Sequence, residues 1–132
     1  MPSVTVLIAA RPGQAEVKAV AGSRVLDYPA DKLEIFIYSD GATDDTEALA
    51  EAYARKDARI RVHNPTEFFD VTGSHNRALS IGAEGTDYVK CVDADDWLFP
   101  HCIEQMVERM EAHPTMGMVC AYVLYGNRVA WD

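Results

Sequence analysis

Three carboxylates stand within four consecutive positions of this sequence, directly after an apolar run. Asp93, Asp95 and Asp96 follow Cys91 and Val92 in the stretch CVDADDW. Carboxylates at this spacing repel one another, so the crowding costs stability unless a cation or several hydrogen-bond donors offset it. An Asp-x-Asp pair leaving an extended segment can bind one hard cation and leave sites for water and diphosphate oxygens, as Mg²⁺ and Mn²⁺ prefer. A solvated turn that caps the next helix is the alternative, and the spacing alone does not decide between the two.

Two other polar groups could contact a ligand. Asp40 follows a second apolar run, where a carboxylate can accept hydrogen bonds from a base or a ribose, although Asp-Gly is also a common turn. Asp44 and Asp45 are better explained as helix-capping residues that complement the helix dipole. The His-Asn-Arg segment at residues 75–77 lies near the start of a predicted helix, where its donors face either a phosphate or water.

Length and charge narrow the class of protein. A chain of 132 residues is predicted to form a single domain over residues 1–132. Twelve basic and twenty-one acidic residues give a net charge of -9, which argues against nucleic acid or an anionic membrane surface as a partner. A phosphate-bearing ligand would need a local positive charge here, and a divalent cation held by carboxylates supplies one.

The cysteines and most of the histidines do not suggest a site. Cys91, Cys102 and Cys120 are odd in number and lie in apolar surroundings, so we expect buried thiols in a reducing compartment. We expect a cytoplasmic location, because no leader pattern opens the chain and its longest apolar-rich run is too short for a membrane span. The histidines without ligand spacing are interpreted as bystanders: His63, His101 and His113.

Strand-like and helix-like patterns alternate along the chain. Strands are predicted at residues 4–9, 33–38, 60–62, 88–92 and 118–124. Helices are predicted at residues 14–25, at 74–83 and between 100 and 114. Another helix is predicted to begin at residue 44 and to carry an apolar stripe at residues 48, 49, 52 and 53. This alternation implies crossover connections, and hence an α/β, Rossmann-like three-layer sandwich with a mostly parallel sheet. Ligands in such sheets bind beyond the carboxyl ends of the strands.

Taken in order, these segments resemble the nucleotide-sugar-binding half of a family 2 glycosyltransferase with the GT-A fold. The resemblance runs from about Ser3 to Tyr125. Its most specific parts are YPADKLEIFIYSDGATDDT (28–46), GSHNRALSIGAEGTDYVKCVDADDWLFP (73–100) and MEAHPTMGMV (110–119). It implies a UDP-sugar donor, Mn²⁺ or Mg²⁺ as cofactor, a sugar or lipid-linked acceptor, and transfer that inverts the anomeric configuration.

The resemblance implies roles for three aspartates. Asp40 matches the second aspartate of the family's Asp-Asp-Gly-Ser segment, which contacts the uracil or ribose. Asp93 and Asp95 match the Asp-x-Asp motif. Both are expected near the metal, with Asp95 as the better ligand and Asp93 also close to the ribose.

Four further residues are expected to contact the donor on the same grounds. Ala9 and Arg11 stand where the loop after the first strand cradles the base. Asn76 and Arg77 match the Arg-Asn-x segment near the diphosphate. The resemblance therefore implies a donor site built from four separate segments.

The sequence also departs from the family's pattern. Ser39 replaces the usual first aspartate of Asp-Asp-Gly-Ser, residues 9–12 replace a typical Pro-x-Tyr-Asn, and His75 stands where an arginine is common. These departures leave the identity of the nucleotide open.

Family members continue after the fifth strand with an acceptor-binding half that supplies the catalytic base. Nothing after Val123 resembles that half, so we assign no base and expect this chain to be a donor half truncated at its C-terminus. A module that binds the donor without transferring it is the alternative. A metal-dependent phosphoryl-transfer enzyme is a weaker one, because Lys90 lies within a predicted strand rather than after it. Without a second half, the domain is expected to expose apolar sheet and to be able to form homo-oligomers.

Overall fold

Four parallel strands form the sheet on which the helices pack. A computed structural model of the chain describes residues 1–10, 18–39, 45–67 and 69–130. The strands are β1 (Val4–Ala10), β2 (Leu33–Ser39), β3 (Ile60–His63), β4 (Tyr88–Asp93), β5 (Val123–Tyr125) and β6 (Arg128–Ala130). The helices are α1 (Lys18–Arg24), α2 (Asp45–Ala54), α3 (Val71–Gly82) and α4 (Cys102–Ala112), and a 3-10 turn at Ala30–Lys32 precedes β2.

The order of strands in the sheet is β3-β2-β1-β4, and every neighbouring pair is parallel. The chain therefore builds outward from β1 to β3 and then returns to add β4 on the other side of β1. This reversal makes the carboxyl ends of β1 and β4 the topological switch point, where open sheets of this class bind ligands. The predicted α/β sandwich with a mostly parallel sheet is confirmed.

The larger core lies on one face of the sheet. Val6 and Ile8 of β1, together with Ile35 and Ile37 of β2, are fully buried there. Side chains of α1, α2 and α4 complete this cluster. β1 is buried along its whole length, which explains its nearly continuous apolar sequence.

The opposite face is covered by α3. Leu7, Phe36 and Tyr38 pack there against Ala78. Gly82 lies so close to the sheet that a Cβ atom on it would stand 2.6 Å from Phe36 Cδ1 and 2.8 Å from Leu7 Cδ1. The glycine therefore has a packing role in this helix, in which glycine is otherwise unfavourable.

Two predicted helices differ from the observed ones in detail. α3 begins at Val71 rather than at residue 74, because the Asp70 side chain caps it by accepting a hydrogen bond from the Gly73 N–H at 2.7 Å. In α2 the buried residues are Thr46 and Ala50, whereas Ala48 of the predicted stripe is exposed. The predicted cap at Asp44 and the predicted helical residues 14–17 lie outside the described residues.

The predicted fifth strand is wrong in its extent and its place. Residues 118–122 are not a strand, and β5 pairs only with β6, in an antiparallel hairpin. Gly126 supplies the left-handed backbone at the turn, with a φ of 59°. The three residues of β5 are exposed, so within the described part of the chain the hairpin adds nothing to the parallel sheet.

The prediction of buried thiols is also wrong for two of the three cysteines. Cys91 and Cys120 are exposed and Cys102 is half-buried, and all three are free thiols. Cys91 is exposed because β4 is the last strand on its side of the described sheet. Among the described residues, no helix is long and apolar enough to cross a membrane.

Candidate active site

The carboxyl ends of three strands meet at one edge of the sheet. Ala9 of β1 pairs with Tyr38 of β2 on one side and with Asp93 of β4 on the other. Ala9 is buried, at 8% exposure, so its backbone rather than its side chain is what this edge can offer a ligand. The predicted donor contacts Arg11 and Asp40 lie outside the described residues.

A tight turn carries the three carboxylates. The Asp96 N–H donates to the Asp93 C=O at 3.0 Å, which closes a four-residue turn. Ala94 is buried in the core at 1% exposure, whereas Asp95 is exposed. The Asp93 side chain is 71% exposed. The turn therefore anchors itself through its one apolar residue and directs its carboxylates to solvent.

α1 holds this turn in place. The Ala19 N–H donates to the Ala94 C=O at 3.2 Å. Near the end of α1, a Cβ atom on Gly22 would stand 2.9 Å from Trp97 Cβ, so the helix backbone packs directly against the segment that follows the turn. Small residues on α1 thus allow the helix backbone to pack closely against the turn and the segment after it, which holds the turn in position.

The aspartates of the turn are chemically suited to a hard cation. Neither Asp95 nor Asp96 makes a side-chain hydrogen bond or an ion pair with any described residue, so their oxygens are free to act as ligands. A donor set of exposed carboxylate oxygens, with open positions around it, fits Mg²⁺ or Mn²⁺ rather than a metal that prefers sulfur or nitrogen.

Among the described side chains, His75 makes the one ion-pair contact with these carboxylates. Its Nδ1 lies 2.8 Å from the Val71 carbonyl, and because a carbonyl only accepts, Nδ1 carries the hydrogen. Its Nε2 faces Asp93 Oδ1 at 3.9 Å. The contact becomes an ion pair only when the ring is protonated. The imidazole ring thus lies beside Asp93 and brings a ring nitrogen to the candidate site.

Sequence reasoning did not predict the contact between His75 and Asp93; it placed residues 75–77 near a helix start, facing a phosphate or water, and noted His75 as a departure from the family's pattern. No local signal pairs residue 75 with residue 93, because the contact depends on where α3 begins and on how it crosses the sheet. Asp70 as a capping residue was the available clue.

Asn76 and Arg77 follow His75 on α3 and are exposed. Within the described residues, neither side chain contacts the carboxylates of the turn. They lie in the second turn of α3, beyond the N-terminal N–H groups, of which that of Gly73 is already bound by Asp70. Their predicted approach to a diphosphate therefore cannot use the helix N-terminus and depends on their own side chains.

A family model described as glycosyl transferase family 2 matches residues 19–131. EpsH of Bacillus subtilis, named as a glycosyltransferase, is 29% identical over 122 residues, which cover 92% of this chain and 34% of EpsH. The glycosyltransferase GlyG of Streptococcus pneumoniae is 26% identical over 108 residues, which cover 82% of this chain and 33% of GlyG. The chain thus spans about a third of the length of these relatives.

Solved structures show the same fold. The mannosyltransferase PcManGT from Pyrobaculum calidifontis, in complex with GDP-Man and Mn²⁺, has a TM-score of 0.76 at 25% identity, covering 88% of this chain and 34% of that one. TarS of S. aureus, in complex with UDP-GlcNAc, has a TM-score of 0.70 at 18% identity, covering 85% of this chain and 32% of that one. These neighbours are GT-A glycosyltransferases. The family match extends over most of the chain, and the chain belongs to glycosyl transferase family 2.

Proposed function

We propose that this chain binds a nucleoside-diphosphate sugar, in the first instance a UDP-sugar, through Mn²⁺ or Mg²⁺ held by Asp93 and Asp95. The observation that carries the proposal is the turn at the end of β4. It presents exposed carboxylates at the switch point of the sheet while its alanine is locked into the core.

The metal follows from charge as well as from geometry. A chain with a net charge of -9 repels a diphosphate, and three carboxylates at the site strengthen the repulsion. A divalent ion bound there supplies the positive charge that holds the diphosphate and stabilises it as a leaving group. The Mn²⁺ in the PcManGT complex supports this choice.

The remaining donor contacts are proposed by position. Ala9 lies near the end of β1, Arg11 comes directly after β1 in the sequence and Asp40 directly after β2, and these residues would surround the nucleoside. Asn76 and Arg77 extend from α3 and would reach the diphosphate. Neighbours of this fold were solved with different nucleotides, GDP-Man in one and UDP-GlcNAc in the other, so the binding test compares UDP with GDP.

Donor binding is what we propose for this chain, and glycosyl transfer for an enzyme of the relatives' length. In that enzyme an acidic side chain would deprotonate the acceptor hydroxyl, which would attack the anomeric carbon and invert it. We assign that base to no residue here. Release of UDP from a UDP-sugar, measured with and without acceptors, separates a transferase from a module that only binds.

Thermal unfolding tests the binding proposal. UDP and Mn²⁺ together are expected to raise the melting temperature more than the sum of their separate effects, because a ligand that binds only the folded state stabilises it by mass action. GDP in place of UDP shows which nucleotide is preferred.

Two variants locate the effect. Asp95→Asn is expected to abolish the synergy with the fold intact, whereas Asp96→Asn, one residue further along the same turn, is expected to retain most of it. Absence of synergy for both nucleotides in the parent chain would refute the proposal.

A further inference from the structure

A second group of metal-ligating side chains includes none of the three aspartates of the turn. It joins Asp27, in the segment after α1, to His101 and Glu104 at the start of α4. His101 Nδ1 lies 3.3 Å from Asp27 Oδ2 and 3.7 Å from Glu104 Oε2. One donor atom from each residue falls within 4.8 Å of the other two.

These separations suit one tetrahedral ion. Zn²⁺ takes nitrogen and carboxylate oxygen at about 2.0–2.2 Å, which places neighbouring ligands of a tetrahedron roughly 3.4 Å apart. The two distances from His101 Nδ1 bracket that spacing, and the carboxylate oxygens of Asp27 and Glu104 lie within 4.8 Å of each other. Three protein ligands leave one position for water, and the exposure of all three side chains gives an ion a direct route in.

The backbone holds the two segments together without an ion. The Asp27 N–H donates to the Pro100 C=O at 2.8 Å, one residue before His101. Glu104 lies one turn along α4 from His101, on the same side of the helix. The His101 side chain does not cap α4, so its ring nitrogen is directed at the two carboxylates instead.

We propose that Asp27, His101 and Glu104 form a site for a divalent transition metal of the Zn²⁺ type, distinct from the donor site. The imidazole nitrogen distinguishes it from the all-oxygen aspartate turn, because imidazole favours zinc, copper and nickel over magnesium. A bound ion would tie the end of the α1 segment to the start of α4. The proposed role is to link these two segments, and it stands whether or not the donor proposal is correct.

Titration of Zn²⁺ into the full chain under reducing conditions tests the site. Exposed thiols and the aspartate turn can also bind zinc, so the comparison is between matched variants that leave both unchanged. His101→Ala and Glu104→Gln are each expected to weaken one zinc equivalent by about tenfold or more, since even groups that only support a ligand are worth that much. His113→Ala and Glu108→Gln, on the same helix or at its end, are expected to bind as the parent does.

A second readout separates a lost ligand from a damaged fold. Saturating Zn²⁺ is expected to raise the midpoint of urea unfolding for the parent and for His113→Ala, but less for His101→Ala. His101 is exposed and Glu104 is half-buried, so the variants should fold, and circular dichroism checks this. Equal zinc affinity and equal stabilisation in parent, His101→Ala and Glu104→Gln would overturn the proposal.

Discussion

At the scale of single residues, neighbouring carboxylates in this chain have different surroundings. Asp93 ends β4 and faces the His75 ring, whereas the side chains of Asp95 and Asp96 make no hydrogen bond or ion pair with a described residue. Asp95 is the one of these two that lies nearer in sequence to the end of β4, and it matches the metal-binding position of the family's motif, which is why we propose it as the main metal ligand.

Asp57 shows the opposite case, a carboxylate committed to structure. Arg59 binds it through two nitrogens, at 2.8 Å and 3.0 Å, and also donates to the Arg24 C=O at 2.9 Å. The Arg59 side chain holds the pKa of Asp57 down at about 2, and Arg24 contributes a weaker hydrogen bond. The Asp57 side chain is only 12% exposed, so solvent screens this interaction little.

Asp57→Asn is predicted to lower the free energy of unfolding at neutral pH by about 2 kcal/mol, from the difference between a pKa of 3.8 and one of about 2. Because the folded-state pKa is the lower one, this stabilisation is complete above the ordinary pKa and is lost as the pH falls towards 2. Urea unfolding of parent and variant at neutral pH and near pH 2 should show their difference shrinking with acid. Glu108→Gln, an exposed carboxylate, is the control and should change stability by less than about 0.5 kcal/mol at either pH. A difference for Asp57→Asn that stays constant with pH would contradict this account.

At the scale of elements, α3 is positioned by small residues. Ser74, Ala78 and Gly82 recur every four residues and are its buried positions, so the helix approaches the sheet closely along one stripe. The same approach brings His75 over the end of β4. The packing of α3 therefore decides the distance between the imidazole and Asp93.

Gly82→Ala is predicted to destabilise the fold although alanine favours helices. The added methyl would overlap Phe36 and Leu7, both of which are buried and cannot move aside easily. Overpacking should outweigh the gain in helix propensity and cost about 1–2 kcal/mol net. Gly117→Ala is the matched control, since nothing lies within 4 Å of its Cβ position. Chemical denaturation measures the free energy of unfolding of both variants and the parent. Equal stabilities for Gly82→Ala and Gly117→Ala would show that α3 has room for a methyl group at residue 82.

The sequence predicted elements well where one local pattern decides them. The strand β1 follows from its nearly continuous, β-rich apolar sequence, and the apolar face of α4, with Ile103 and Val107 in the core, follows from helical periodicity. The prediction of the fifth strand was wrong in extent because it rested on the apolar sequence of residues 118–124. Strand formation also requires a pairing partner, which the local pattern does not show. The prediction that Cys91 is buried was wrong for a related reason, since the exposure of this residue depends on what covers β4.

At the scale of the whole molecule, topology creates the candidate site. Two crossover connections and a return to β1 bring the ends of β1, β2 and β4 to one edge of the sheet, and the aspartate turn lies at that edge. The Asp-x-Asp pattern left a metal site and a solvated turn as alternatives, and the family was expected from the resemblance of three longer segments. The second group, around His101, was not visible in the sequence because Asp27 lies 74 positions away from His101 and meets it only in the fold.

The central claim is that the aspartate turn holds a metal that in turn holds a nucleotide diphosphate. A crystal structure of the chain soaked with UDP and Mn²⁺, with the anomalous signal of manganese recorded, tests it most directly. We predict a manganese ion bound by the Asp95 carboxylate and by diphosphate oxygens, with the nucleoside over the carboxyl ends of β1 and β2. UDP bound with no metal at Asp95, or manganese only at the Asp27, His101 and Glu104 group, would contradict the account.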